Sequence, residues 1–143
     1  MVNDFLKMSA TALGHKIGNG EINPVELTLQ FLEQIRGHPL RKKIYARLTE
    51  DRALKEAELS RSRAKNGNRK SVLDGVPISW KDLFDTVGVA TEAGSLLLKN
   101  RVPRSDAIVL KNATNAGLIC LGKTHMSELA FSGLGLNPVT NTP

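Results

Sequence analysis

The run Leu73-Asp74-Gly75-Val76-Pro77-Ile78-Ser79-Trp80-Lys81-Asp82 places a lysine at the inner end of an apolar strand. Burying an ammonium group is costly, so such a lysine either loses its proton easily or recruits a compensating partner. Two roles fit the local pattern. The amine can act as proton acceptor or hydrogen-bond hub for a nucleophile. Alternatively, the lysine snorkels from the strand end and pairs with Asp82 or Asp85. Pro77 lacks an N–H and confines the strand to a sheet edge or its own first turn.

Outward from this strand, turn and cap residues divide the chain. Upstream, Ser9 to Ile17 reads as a short helix stopped by Gly18 and Gly20. Asn23-Pro24 opens a second helix with Asn at the N-cap, Pro at the first helical position and Glu26 favouring the dipole. Its stripe of Val25, Leu29 and Leu32, flanked by Leu27, Phe31 and Ile35, predicts a wide buried face, ended at Gly37-His38-Pro39. Ile44 to Thr49 reads as a strand. Glu50-Asp51 start a third helix whose small face is Ala53, Ala57, Ser60 and Ala64, broken at Asn66-Gly67-Asn68. Downstream, Ser105-Asp106 are expected to cap a helix to Ala116, with Val109, Leu110 and Ala113 inward and Gly117 as its stop. Leu118 to Leu121 is a short buried strand. This alternation predicts an α/β layer with parallel strands. Two such strands cannot cover both their faces, so the layer reads as incomplete on its own.

Composition narrows the function classes. The chain has 143 residues, 41% of them hydrophobic, 24% charged and only 4% aromatic, an ordinary globular balance. No apolar run approaches the roughly 20 residues that span a bilayer, and the start at Met1-Val2-Asn3-Asp4-Phe5 lacks a secretory pattern. The expectation is a cytoplasmic protein without membrane partners. The single cysteine, Cys120, lies in an apolar run and reads as a buried, inert thiol. Net charge is +6, and twelve Lys/Arg face four Asp/Glu between Arg36 and Lys70. A basic RNA-associated module would use such charge, but no aromatic or Gly-rich RNA motif interleaves with it, so a solvated surface is expected over nucleic acid. Gly117-x4-Gly122-Lys123-Thr124 matches the phosphate-loop pattern literally. It follows a helix, however, and encloses an apolar strand, which argues against nucleotide. His15, His38 and His125 are too scattered for a metal site.

Gly75-Val76-Pro77 followed by Lys81-Asp82 resembles the lysine motif of the amidase-signature family, which includes one component of the tRNA-dependent amidotransferase. The resemblance continues through Asn23-Pro24-Val25-Glu26-Leu27, Thr91-Glu92-Ala93-Gly94-Ser95, Asp106-Ala107, Ala116-Gly117 and Leu121-Gly122-Lys123-Thr124-His125-Met126-Ser127-Glu128-Leu129-Ala130. It implies a Ser–cis-Ser–Lys triad hydrolysing carboxylic amides, with Lys81 as the lysine and no metal or organic cofactor. It further implies that Ala130, Phe131 and Ser132 lie on a loop lining the substrate pocket; a loop packing Phe131 into the core fits the residues equally. The small-molecule substrate would be an amide, glutamine if the parent resembles the amidotransferase component. The family's serines lie in a Gly- and Ser-rich segment, and no Gly-Gly-Ser-Ser-Gly run occurs in these residues. Residues 1–143 therefore read as the N-terminal portion of a single amidase domain, with 1–70 mainly helical and 71–143 strand-helix-strand. The expected fold is part of the layered mixed or parallel sheet of that family. The alternative is a non-catalytic fragment or assembly module.

Partners expected on this reading are the remainder of the amidase domain or a homo-oligomer. Alone, the chain should self-associate through uncovered apolar surface, as read by sedimentation velocity. A cooperatively unfolding monomer at high concentration would contradict this.

Overall fold

Ser9 accepts a hydrogen bond from the Ala12 N–H at 3.2 Å, and helix α1 follows over Ala10–Gly18. Asn23 does the same for the Val25 N–H at 3.0 Å, opening α2, Pro24–Gly37, with Pro at its start. These elements belong to a computed structural model that describes residues 4–142. Met1, Val2 and Asn3, on which the reading of the N-terminus partly rests, and Pro143 lie outside the described residues. A single helical turn α3, Arg41–Ile44, leads into strand β1, Tyr45–Leu48, and then α4, Glu50–Lys65. Strand β2, Pro77–Lys81, helix α5, Ile108–Asn115, and strand β3, Ile119–Thr124, complete the order.

The sheet is mixed, in the order β1-β3-β2. Strand β2 runs parallel to β3, as the alternation of elements predicts, with Pro77 opposite Ile119 and Lys81 opposite Thr124. Strand β1 is antiparallel to β3 on the other side. Pro77 thus opens an edge strand, where its missing N–H breaks no ladder. Gly122 is required by the closeness of β1: a Cβ there would lie 2.6 Å from the Arg47 carbonyl oxygen.

Helices α2 and α4 pack on each other, and α4 packs on β3. Leu32, Ala53, Ala57, Ile119 and Leu121 form one buried cluster, and Leu13, Ile17, Ile22, Leu27 and Val76 the other. Each buried aliphatic side chain is worth about 1.5–3 kcal/mol. The small face of α4 lets α2 and β3 approach closely, as its alanines predict. Two apolar assignments need correction. Leu29 is 45% exposed, because Thr28 takes the inward position and satisfies its hydroxyl on the Pro24 carbonyl at 2.8 Å. Val109 is 48% exposed, and Leu110 alone fills the buried side of α5.

The start of α5 also departs from expectation. Its N-cap is Ala107, without a side-chain cap. Asp106 instead receives both Nη atoms of Arg52, at 2.9 and 2.8 Å, and the Val87 N–H at 2.8 Å. Charge–charge stapling of α4 to this loop outweighs capping of a short helix. Other arginines of the basic segment are spent similarly: Arg36 on Glu50, Arg61 on Glu58 and Arg63 on Asp74. Exposed apolar side chains include Leu96, Leu97, Ile108, Leu134 and Leu136, in line with an incomplete layer. No helix among the described residues is long and apolar enough to cross a membrane.

Asp74 joins α4 to the entrance of β2. Its carboxylate is fully buried and accepts from Arg63 Nε at 2.7 Å, Arg63 Nη2 at 2.6 Å and the Lys70 N–H at 2.9 Å. Gly117, at φ +93°, leaves the space the carboxyl occupies; a Cβ there would collide with it. Burial would raise the Asp74 pKa, but Arg63 and the Lys70 N–H outweigh it and hold the carboxyl below its ordinary value. Arg52 lowers Asp106 in the same sense. Depressed carboxyls stabilise the fold above their unfolded value, and that contribution is lost as pH falls through the native one. The urea midpoint should therefore hold at neutral pH and fall progressively once pH drops below the ordinary aspartate value of 3.8. Asp74→Ala should cost about 3–5 kcal/mol at pH 7 by leaving Arg63 unpaired, measured by urea denaturation.

Candidate functional site

Lys81 closes β2 opposite Thr124 and is exposed. Trp80, the residue before it, meets the Phe84 ring edge-on, centroids 5.5 Å apart. Neither expected carboxylate partner pairs with Lys81. Asp85 is held by Arg101 at 2.6 and 2.8 Å, and Asp82 turns inward. The amine at the C-terminal end of this edge strand is presented outward, where open α/β sheets place their ligands.

The buried lysine is Lys123, which the sequence shows in the false phosphate-loop match and in the resemblance run from Leu121 to Ala130, with no role assigned in either. Its exposure is 0%, in the middle strand of the sheet. The ammonium has three protons and three acceptors: Phe84 O at 2.8 Å, Thr91 Oγ1 at 3.0 Å and Asp82 Oδ1 at 3.3 Å. Burial pushes its pKa down from the ordinary lysine value, with the Asp82 charge opposing. Arg47 of β1 reaches the same place, donating Nη1 to Asp82 Oδ1 and to Ala90 O, both at 2.6 Å, and Nη2 to Glu92 Oε2 at 2.6 Å. The Glu92 N–H closes on Asp82 Oδ2 at 3.2 Å. Two cations and two carboxylates thus form a neutral cluster directly behind Lys81. The available signal was a lysine following an apolar strand, which Leu118-Ile119-Cys120-Leu121-Gly122-Lys123 shows as plainly as the stretch before Lys81.

Ala130, Phe131 and Ser132 lie in the loop after β3. Phe131 is 96% exposed, so it does not pack into the core. Ser132 accepts from the Leu134 N–H at 3.1 Å through its hydroxyl and from Ser127 Oγ at 2.7 Å through its carbonyl. Leu129 and Ala130 have φ of +49° and +60°, a conformation non-glycine residues adopt at a cost of order 1–3 kcal/mol. The loop is tied to the lysine strand in two steps. The Leu129 N–H donates to Ala93 O at 2.9 Å, and the Ala93 N–H donates to Asp82 O at 3.1 Å. Ala93 itself has φ +48°.

Remaining candidates are structural. Cys120 is buried, and burial pushes its thiol pKa up. Gly122-Lys123-Thr124 is strand β3, not an anion-binding loop. Burial also lowers His125, whose backbone N–H bonds Ile44 O at 2.8 Å.

A family model described as Amidase matches residues 26–143. The A-type subunit of the glutamyl-tRNA(Gln) amidotransferase from Marinobacter nauticus is 38% identical over 123 residues, 86% of this chain and 25% of that protein. Its mitochondrial counterpart from Ornithorhynchus anatinus is 34% identical over 126 residues, 88% of this chain and 24% of the relative. Native peptide amidase from Stenotrophomonas maltophilia superposes with a TM-score of 0.80 at 31% identity, over 87% of this chain and 26% of its own. A fatty acid amide hydrolase gives a TM-score of 0.87 over 99% of this chain and 26% of its own, at 23% identity, a likeness of fold alone. The chain spans about a quarter of the length of the curated relatives it matches.

Phe131→Ser should change the unfolding free energy by less than about 0.5 kcal/mol, the value for a surface side chain. A loss of about 3 kcal/mol or more in urea denaturation would instead return Phe131 to the core.

Proposed function

The chain belongs to the amidase family, and from that premise we propose that it is the lysine-bearing, N-terminal part of an amide hydrolase. Lys81 is the base of its Ser–cis-Ser–Lys relay. The single observation that carries this reading is the outward presentation of Lys81 at the end of an edge strand, with Asp82 beside it turned inward and neutralised by Arg47 and Lys123. An amine so placed is free for a partner on the open side of the sheet.

In the proposed reaction a serine oxygen attacks the amide carbonyl carbon. Its proton passes through the second serine to the neutral Lys81 amine, and the tetrahedral oxyanion forms. Collapse breaks the C–N bond, the leaving amine takes the proton back, and water hydrolyses the acyl-serine by the same relay. The serine-bearing segment covers Lys81 in this arrangement and excludes water from the relay. Backbone N–H groups of that segment hold the oxyanion. Ala130, Phe131 and Ser132 face the substrate, and the exposed Phe131 ring offers apolar contact. The substrate is a carboxylic amide, and glutamine is the first to test. Partners are the remainder of the domain or a second copy, and the compartment is the cytoplasm.

The 143-residue chain alone should release no ammonia from glutamine or a simple aryl amide, since it lacks the Gly/Ser-rich nucleophile run. Assembled with a serine-bearing remainder it should turn over. Lys81→Ala and Lys81→Arg should each then lose on the order of 10²–10⁴-fold with circular dichroism unchanged, because arginine cannot be deprotonated. Near-normal turnover in Lys81→Arg rules out the base. Turnover by the chain alone, abolished in Lys81→Ala, overturns the division of labour.

A further inference from the structure

We propose that Lys123 and Arg47 are positioning residues for Lys81, acting through Asp82. The inference rests on the assignment of Lys81 above and extends it to residues that touch no substrate. Among the described residues strand β2 is held on one side only, by β3, so its last residue has a single ladder neighbour there. A strand end of this kind frays unless something beyond the ladder fixes it.

The bonds of Lys123 and Arg47 fall where that fixing is needed. All three acceptors of Lys123, namely Asp82 Oδ1, Phe84 O and Thr91 Oγ1, belong to the segment that leaves β2 immediately after Lys81. So do all three acceptors of Arg47: Asp82 Oδ1, Ala90 O and Glu92 Oε2. Asp82 is bound at every polar group. Its N–H donates to Thr124 O at 3.0 Å, its carbonyl accepts from the Ala93 N–H at 3.1 Å, and its carboxylate takes both cations and the Glu92 N–H. The Lys81 carbonyl in turn accepts from the Phe84 N–H at 3.1 Å. The peptide unit on the C-terminal side of Lys81 is therefore clamped to the central strand, and Lys81 Nζ swings from a fixed root.

Charge explains the choice of residues. A lone cation behind Lys81 would repel a second amine, and a lone carboxylate would bind it. Two of each leave the site neutral and Lys81 unclaimed. Because the carbonyl of Ala93 receives the Leu129 N–H, the same clamp also fixes the loop of Ala130, Phe131 and Ser132 relative to Lys81.

The test uses Lys123→Met, which keeps length and removes the charge, and Asp82→Asn, which keeps shape should the first variant not fold. Hydrogen exchange in the 143-residue chain is read at the amides of Asp82, Phe84 and Ala93. Exchange there should rise about tenfold or more in either variant, while amides within α2 and α4 move little. In the assembled enzyme kcat should fall about 100-fold with KM within about threefold, as misplacement of a reacting group by about 1 Å produces. Unchanged exchange at those three amides overturns the clamp. A rise spread equally through α2 and α4 also overturns it, reducing Lys123 to general stability. Wild-type assembly without turnover sinks the assignment of Lys81, and with it the catalytic meaning of the clamp. Wild-type turnover with an unaffected kcat in both variants sinks only the positioning role.

Discussion

A fully buried ammonium must find three acceptors or not be buried at all, and Lys123 sets that condition at the centre of the sheet. No element of regular structure supplies them. They come from the irregular stretch between β2 and α5, which must fold back over the end of β3 to deliver Phe84 O, Thr91 Oγ1 and Asp82 Oδ1. One central residue thus dictates the path of a segment more than thirty residues earlier in the chain. Arg47 tightens the same condition from β1, because its guanidinium brings a second charge to be neutralised and Glu92 answers it. Asp82 is the shared member: removing it would leave the Lys123 ammonium buried without its countercharge, whereas Arg47 would keep Glu92.

Arginine does comparable work elsewhere. Arg52 joins α4 to the loop before α5, and Arg63 joins α4 to the turn before β2. Each is planar, two-pronged and matched to a carboxylate by two parallel bonds. With few aromatic side chains to fill space, the fold uses such forks to fix irregular segments that its small aliphatic clusters do not reach. The excess of positive charge between Arg36 and Lys70 is therefore partly structural, since five of its arginines hold carboxylates within the chain.

The lysine of the family motif stands in contrast. Lys81 lies opposite Thr124 and Lys123 opposite Trp80, one register step apart on neighbouring strands, yet their surroundings are opposite. One is satisfied and buried; the other is exposed and unclaimed by Asp82 or Asp85. This division suits the role proposed for Lys81, in which the amine works on groups supplied across an open face. The exposed Leu96, Leu97, Phe131 and Leu134 fit the same picture of surface awaiting a layer.

The chain's local signals were legible without a structure. Ser9, Asn23-Pro24, the acidic start of α4, Pro77 and the glycine stops each mark an element boundary through bonds within a few residues, so sequence alone determined the order of helices and strands. The family was equally legible, because Gly75-Val76-Pro77, Lys81-Asp82 and the run from Leu121 to Ala130 keep their order and spacing. What tertiary structure decided was which side chains those elements bury and which charges meet. Thr28 displaced Leu29 inward because a local bond to Pro24 removed the cost of its hydroxyl. Asp106 left the cap of α5 because Arg52, fifty-four residues away, made two charged bonds instead. Two lysines end apolar strands in this chain, and sequence offered no means of choosing which of them is buried. Burial depends on what packs across the strand, and the segment after β2 folds over Lys123 while leaving Lys81 outside.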